Sequence, residues 1–187
     1  MKIMSLDCEY TQPNKRTIQI GAAAYHLPTG ELLGTFETYV NPKELISEYI
    51  TGITGITDAD VGGAPDIREA FEDLRTFHKK HKCFKNPLVY GVGISNDSHH
   101  IYSEAYPLAN NTVNGPENFM GYRVIDVKGI FQSIQLYNNK TVKGGLKDTC
   151  QLIGIGFEGN EHTALSDAKN TFRLWYYLVK QFPGGFK

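Results

Sequence analysis

The first part of the chain alternates apolar and polar residues with the period of two that is typical of β-strands. Residues 2–10 place apolar side chains on one face and carry two acids, Asp7 and Glu9, at the end of the opposite face. Two further runs, Thr17–Tyr25 and Leu32–Val40, are β-rich or apolar, and a Leu-Pro-Thr-Gly segment between them suits a tight reversal. We therefore predict an antiparallel meander of three strands, the first of which ends in two carboxylates.

From Ala64 onwards the apolar residues follow the three- and four-residue spacing of an amphipathic helix. The positions on this stripe are Ile67, Ala70, Phe71, Leu74 and Phe77. Two apolar runs of strand length, Pro87–Ile94 and Tyr122–Val127, lie between stretches of helical character, as inner parallel strands do. A last long helix begins near Thr163. The pattern predicts an α/β fold with a mixed five-stranded sheet, three antiparallel strands and then two parallel ones, with helices on both faces.

Composition limits the chain to one domain with one principal site. Its 187 residues are 41% apolar and 21% charged, which is enough for a sizeable core, and no linker tract or repeat divides them. We expect residues 1–187 to form a single domain. A mean hydropathy of -0.33, with no long apolar run and no basic-then-apolar leader, favours a soluble cytoplasmic protein over a membrane or secreted one.

Charge restricts how the chain can hold a partner. Its formal net charge is -1, so no global positive field attracts a polyanion, and a nucleic-acid partner must be held locally. A basic cluster, His78–Lys82 with Lys85 just beyond, falls at the carboxyl end of the first amphipathic helix. Cations there complement the helix dipole, which favours a solvated helix end over a phosphate track. Three cysteines lack the spacing of a zinc site or a disulfide framework, so we expect reduced thiols: Cys8, Cys83 and Cys150.

The two acids of the first strand are candidate metal ligands. Asp7 and Glu9 are one residue apart, so both side chains leave the same face with Cα atoms about 6.5 Å apart. Neighbouring anions repel unless a cation lies between them, and hard oxygen ligands at this spacing suit Mg²⁺ or Mn²⁺. Solvated acids at a frayed strand end explain the same spacing.

Three more polar residues follow at the ends of predicted elements. His162 and Asp167 are five residues apart, about 140° apart around a continuous helix, so we expect His162 to precede the last helix. Asp167 then lies in its first or second turn, where the helix dipole favours a carboxylate. Asp97 follows an apolar run, beyond the carboxyl end of a strand, where α/β sheets place ligands. A surface histidine, a dipole-complementing acid and a turn aspartate remain alternatives.

Taken together, these residues resemble the three motifs of the DEDDh 3′→5′ exonucleases, which include the proofreading epsilon subunit of bacterial DNA polymerase III and ribonuclease T. The first motif corresponds to Asp7-Cys8-Glu9, the second to Asp97 and the third to His162–Ala168. Four supporting segments also match in order: Ile18–Ala22, Ile53–Thr57 before the first helix, Val124–Asp126 and Leu146–Ile155. The similarity covers nearly the whole chain, and its third motif and Thr-Gly-Ile-Thr segment are the most specific parts.

The resemblance implies a ribonuclease H-like fold with three αβα layers and a two-metal site. Asp7, Glu9, Asp97 and Asp167 would hold two divalent cations, Mg²⁺ or Mn²⁺, and His162 would take a proton from the attacking water. The implied reaction releases nucleoside 5′-monophosphates from a single-stranded DNA or RNA 3′ end, with DNA placed slightly ahead of RNA. A DNA polymerase is an implied partner of proofreading members, and no membrane partner is expected.

Two departures from the family pattern and two other readings remain. Tyr10 stands where relatives often have Thr, and Ile94 and Asn96 stand where many have Asn and Phe. Tyr10 is a candidate for base stacking, although a buried tyrosine is favoured. Phosphatases with a nucleophilic Asp usually have D-x-D followed two places later by Thr or Val, unlike the segment after Glu9. An inactive binding module of the same fold is the other alternative, and the filling of all five polar positions argues against it.

Overall fold

The computed structural model describes residues 1–91, 96–107, 115–141 and 143–181. Within these ranges five strands form one mixed sheet in the order β3-β2-β1-β4-β5. The strands are β1 (Lys2–Tyr10), β2 (Thr17–His26), β3 (Glu31–Tyr39), β4 (Leu88–Val89) and β5 (Ile125–Asp126). The predicted meander and the mixed sheet are therefore confirmed.

Seven helices pack around the sheet in the described part of the chain. They are α1 (Glu48–Thr54), α2 (Asp58–Val61), α3 (Ile67–His81), α4 (Asp97–Ala105), α5 (Val127–Tyr137), α6 (Leu146–Leu152) and α7 (Ala164–Lys180). Among the described residues, no helix combines the length and the apolar character that crossing a membrane requires.

Strand β1 is the centre of the sheet, and its direction sets the edge at which polar residues gather. It pairs antiparallel with β2, where Asp7 lies opposite Gly21, and parallel with β4, where Ser5 lies opposite Leu88. β4 in turn pairs parallel with β5. Because β1 runs in the same direction as β4 and β5, its terminal acids lie at the carboxyl edge of the parallel part of the sheet.

The two faces of β1 pack into two separate cores, which gives the three-layer arrangement. On one face Met4, Leu6 and Cys8 lie in a cluster with α3 and α4, which includes Phe71 and Ile101. The opposite face packs against helices of the second half of the chain, and its buried members include Ile3, Phe131, Cys150 and Phe172. The side chains of residues 2–10 therefore alternate between two faces of β1 that are both buried.

The parallel strands are shorter than their apolar runs predict. Of the predicted Pro87–Ile94, only Leu88–Val89 pairs, Gly91 takes a φ of 90°, and residues 92–95 lie outside the described part. Of the predicted Tyr122–Val127, only Ile125–Asp126 pairs, because Val127 already begins α5. A short apolar run does not distinguish a strand from the first turn of a buried helix, which explains why the second run was extended to Val127.

The prediction that the helix after Ala64 is the first of the chain was wrong, because α1 and α2 precede it. These helices have seven and four residues, too few to show an amphipathic period. The Ile53–Thr57 segment closes α1 at Gly55, with a φ of 75°, and provides the N-cap of α2. Both helices contribute to a small apolar cluster: Ile18, Ile46, Ile50, Ile56 and Val61.

The start of α7 lies directly on β2, at a position that only glycine can occupy. A Cβ atom on Gly21 would lie 2.2 Å from the backbone carbon of Ala164 and 2.2 Å from the backbone nitrogen of Leu165. The side-chain oxygen of Gln19 accepts a hydrogen bond from the Ala164 amide at 3.0 Å. Since β2 pairs with β1, these contacts fix the first turn of α7 beside the acids of β1.

We predict that Gly21→Ala moves α7 away from the sheet. Backbone atoms cannot yield to the added methyl group, so the free energy of unfolding should fall by about 3 kcal/mol. A displacement of about 1 Å at the site should also cost about a hundredfold in any activity that needs α7. Chemical denaturation measures the first effect and an activity assay the second.

The matched control is Gly52→Ala in α1, where no heavy atom lies within 4 Å of the added Cβ. A helix-interior Gly-to-Ala change is expected to stabilise by about 0.5–1 kcal/mol. Equal effects of the two substitutions would contradict the role assigned to Gly21.

Candidate active site

The carboxyl end of β1, the central strand, carries the first two acids. Asp7 and Glu9 are both half-buried and point toward the layer that contains α7. The ladder between β1 and β2 becomes irregular between Glu9 and Tyr10. The acids thus occupy the final regular positions of β1, held by the pairing of Asp7 with Gly21 and of Glu9 with Gln19.

Helix α7 brings a second acid and a histidine to the same place. Asp167 lies in its first turn, and its backbone amide donates to the carbonyl of Thr163 at 3.0 Å. His162 precedes the helix, as predicted, with a φ of 60° that turns the chain sharply before the N-cap. One candidate ligand atom from each of Glu9, His162 and Asp167 lies within 4.8 Å of the other two.

The loop before His162 is held by side chains rather than by secondary structure. The buried amide of Asn170 accepts from the Glu158 amide at 3.1 Å and donates to the Glu158 carbonyl at 2.8 Å. Arg173 pairs with the Glu158 carboxylate at 3.0 Å, and Lys147 of α6 pairs with Glu161 at 3.2 Å. Because these groups bracket residues 158–161, the backbone of His162 begins from a restrained position.

The fourth acid, Asp97, is the first residue of α4 rather than part of a simple loop. The side-chain oxygen of Asn96 accepts from the His99 amide at 3.1 Å and so caps the helix. The hydroxyl of Tyr10 donates a 2.6 Å hydrogen bond to Oδ1 of Asp97. The structure thus links Asp97 directly to the end of β1.

Sequence reasoning considered Tyr10 only as a candidate for base stacking and did not include it among the site residues. The ammonium of Lys15 lies 5.0 Å from the centroid of the Tyr10 ring. The His100 ring packs edge-on against the same ring, with the two centroids 4.8 Å apart. Glu104 of α4 accepts from both the amide and the hydroxyl of Thr17, at 3.2 and 2.7 Å. These contacts tie the β1–β2 loop to α4. The one available signal was the departure from the family pattern at this position.

The four carboxylates interact strongly with one another. Burial raises the pKa of Asp7 well above its usual range, and the charges of Asp97, Asp167 and Glu9 raise it further. Burial and the same neighbours, Asp167 and Asp97, raise the pKa of Glu9 to about 8. Burial raises the pKa of Asp97 to about 6, although the Tyr10 hydrogen bond and Lys15 oppose the change. Asp7 is thus the acid on which the charges of the other three act, and Glu9 and Asp167 also lie beside His162.

The cluster fits hard divalent cations. Burial raises the pKa of Asp167 to about 6, against the opposing effect of His162, and its buried Oδ1 has no hydrogen-bond partner among the described residues. An unpartnered buried carboxylate oxygen is costly unless a cation takes its lone pairs. Carboxylate oxygens such as those of the four acids are the ligands that Mg²⁺ and Mn²⁺ prefer.

A groove of about 530 Å³ opens next to the acid cluster at Glu9. One wall is formed by residues 10–13 and Lys15, and the other by α1 through Ile50, Ile53 and Thr54. The carboxylate of Glu44 accepts from the Thr11 hydroxyl at 2.5 Å and from the Asn14 amide at 2.7 Å, which braces the first wall. The groove therefore combines an apolar helix face with a cation beside the carboxylates.

Comparison of the sequence with known protein families identifies the family of this chain. A family model described as Exonuclease, the ribonuclease T family, matches residues 4–175. The chain belongs to the DEDDh exonuclease family. DEDDh exonucleases are metal-dependent phosphodiester hydrolases, so the phosphatase interpretation is set aside.

Curated relatives are longer proteins that share one segment with this chain. ERI1 exoribonuclease 2 of Xenopus laevis is 25% identical over 173 residues, which cover 84% of this chain and 24% of that protein. The PolC-type DNA polymerase III of Streptococcus mutans is 28% identical over 168 residues, 90% of this chain and 10% of the polymerase. The chain thus spans about a quarter or less of the length of these relatives.

Solved structures confirm the fold. The nuclease domain of 3′hExo, a DEDDh family member bound to rAMP, superposes with a TM-score of 0.74 at 19% identity, covering 96% of this chain and 92% of that domain. S. pombe Pop2p in its Mg²⁺- and Mn²⁺-bound form gives 0.72 at 17% identity, with 99% and 86% covered. E. coli Exonuclease I in complex with a dT13 oligonucleotide gives 0.70 at 17%, with 97% and 42% covered.

The raised carboxyl pKa values predict how the metal-free protein responds to pH. The folded state keeps protons that the unfolded chain releases above its ordinary carboxyl pKa of about 4. In EDTA these carboxyl groups should therefore lower the free energy of unfolding as the pH rises from about 4 through about 8, the raised pKa of Glu9. Asp7→Asn removes the carboxylate that the charges of the other three oppose, so at pH 8 the free energy of unfolding of this variant should exceed that of the wild type.

Denaturation of the wild type, Asp7→Asn and a control, Asp73→Asn on the exposed face of α3, measures these changes. Adding Mg²⁺ or Mn²⁺ should stabilise the wild type more than Asp7→Asn. If Asp7→Asn and the wild type changed equally in stability between pH 4 and pH 8 in EDTA, the cluster would be contradicted.

Proposed function

We propose that residues 1–187 form a 3′→5′ exonuclease that hydrolyses phosphodiester bonds at a single-stranded 3′ end and releases nucleoside 5′-monophosphates. The observation that carries the proposal is the meeting of Asp7, Glu9, Asp97 and Asp167 with His162 at one end of the central strand. Family membership supports the reaction class.

The acids are assigned to two divalent cations, Mg²⁺ or Mn²⁺. Asp7 interacts with all three of the other carboxylates, so it would be a central ligand of this group. Glu9 and Asp167 lie together on the α7 side, and Asp97 approaches from α4. When bound, such cations activate a water nucleophile and stabilise the leaving 3′ oxygen. The protein contributes the negative charge that retains them and the fixed positions of the ligands.

His162 is assigned the role of general base. About half of its side-chain surface is exposed, so water reaches its ring, and the nearest paired carboxylate oxygen, on Glu161, is 4.0 Å away. Its ring nitrogen is therefore available for a proton, and imidazole is suited to proton transfer near neutral pH. The backbone turn at residue 162 aims the ring toward Glu9 and Asp167.

The groove beside Glu9 is assigned to the terminal nucleotide. Ile50 and Ile53 offer apolar surface for a base or sugar, and Lys15 offers a positive charge for a phosphate. We propose DNA slightly ahead of RNA as substrate and a DNA polymerase as the partner to test, with support from the PolC-type relative that is 28% identical. The exoribonuclease relative makes RNA the direct competitor.

The activity is tested with matched DNA and RNA oligonucleotides, single-stranded and duplex, labelled at the 5′ end. Mg²⁺ or Mn²⁺ should give a ladder that shortens from the 3′ end together with mononucleotides, and EDTA should abolish both. The control is Asp7→Asn, which should fail to cleave in either metal. If no metal supports release from any of the four substrates, the chain is instead an inactive binding module of this fold.

His162→Ala should lower kcat by about a hundredfold or more, because general-base catalysis contributes about 10² to 10⁴. Its affinity for Mn²⁺ by calorimetry and its KM should stay near the wild-type values. His26→Ala, at the far end of β2, is the matched control. Loss of metal binding in His162→Ala would make His162 a ligand, and full activity would remove it from the mechanism.

A further inference from the structure

Basic residues from separate segments meet near the amino end of β1, away from the acid cluster. The amide of Phe84 donates to the carbonyl of Lys2 at 2.8 Å, so the segment after α3 runs beside the start of β1. The last turn of α3 carries Lys79 and Lys80, and Lys82 closes the helix with a φ of 53°. Strand β1 and the end of α3 thus place lysines in one region.

The region continues toward β5. The side chain of Lys85 extends to within 3.6 Å of a Cβ position on Gly121, and the Asn86 amide donates to the Arg123 carbonyl at 2.7 Å. We define the basic surface as Lys2, Lys79, Lys80, Lys82, Lys85 and Arg123. All of these are exposed except Lys2, which is half-buried.

A helix dipole accounts for only part of this charge. Lys79 and Lys80 complement the end of α3, but Lys2, Lys85 and Arg123 belong to other segments. None of the six forms an ion pair with an acid in the described part of the chain. Burial lowers the pKa of His81, and the charges of Lys80 and Lys2 lower it further, which agrees with their proximity.

Exposed aromatic rings lie among these cations. Phe84 is 41% exposed and Tyr122 is 48% exposed, and the Arg123 guanidinium lies 4.9 Å from the Tyr122 ring centroid. Positive groups that follow a phosphate backbone, interleaved with rings on which bases stack, are typical of surfaces that bind single-stranded nucleic acid. The combination argues for a nucleic-acid strand over an acidic protein.

We propose that the basic surface binds the phosphate backbone of the substrate strand upstream of the 3′ end that is cleaved. Along β1, Lys2 is about 16 Å from Asp7, so a strand of several nucleotides is needed to reach both places. The proposal rests on the proposed function for the identity of the strand. It assigns binding, and not chemistry, to these residues.

The test uses Lys80→Gln/Lys85→Gln, which removes one charge from each of two segments. Fluorescence anisotropy with a 15-nucleotide single strand, in EDTA and over a salt series, measures binding without cleavage. Loss of two phosphate contacts should reduce the slope of log affinity against log salt by about 1.4 and weaken binding on the order of tenfold at 0.1 M salt. Cleavage of a dinucleotide in Mn²⁺ should be unchanged. Lys140→Gln, beyond α5 on the other helical layer, is the matched control and should leave the slope unchanged.

The outcomes separate the two proposals. Dinucleotide cleavage with an unchanged slope overturns the basic surface and leaves the exonuclease standing. If the variant reduces the salt slope but the wild-type protein cleaves neither the dinucleotide nor the 15-nucleotide strand, the proposal for the basic surface is supported and the proposed exonuclease activity is overturned. An equal loss in Lys140→Gln reduces the effect to general charge and overturns the surface.

Discussion

The close approach of α7 to β2 is the constraint on which the site depends. Two of the five polar residues, His162 and Asp167, lie in the last third of the chain, and two others lie on β1. They meet because Gly21 has no side chain and Gln19 holds the first turn of α7. Because this contact joins backbone to backbone, it allows little relative movement of α7 and β2. The candidate metal ligands on α7 and β1 are therefore held in fixed positions by the central sheet.

The same placement makes the fold less stable than its core allows. Four carboxylates within one another's field, one with an unpartnered buried oxygen, oppose folding until their charge is neutralised. Natural proteins retain such arrangements where function needs them, and the surrounding packing offsets the cost. Here the two cores on either side of β1 provide that packing.

The sequence predicted those parts of the site that local pattern determines. Strand alternation and a predicted helix start gave the local positions of Asp7, Glu9, His162 and Asp167, but their assignment to one site came from the resemblance to DEDDh exonucleases. The ends of β4 and β5 did not follow, because Val127 reads equally as strand or helix without its neighbours. The contact between Tyr10 and Asp97 joins residues 87 positions apart, and no local pattern reports such a pair.

That contact links the groove to the acid cluster. Tyr10 lines the groove assigned to the terminal nucleotide and also holds the Asp97 carboxylate. A nucleotide that moves the phenol therefore changes the affinity of the acid cluster for cations, and by reciprocity bound cations change the affinity for the nucleotide by the same factor. Under the proposed function, substrate and cation would be coupled through this hydroxyl group, and the affinity for either would have to be measured at a stated concentration of the other.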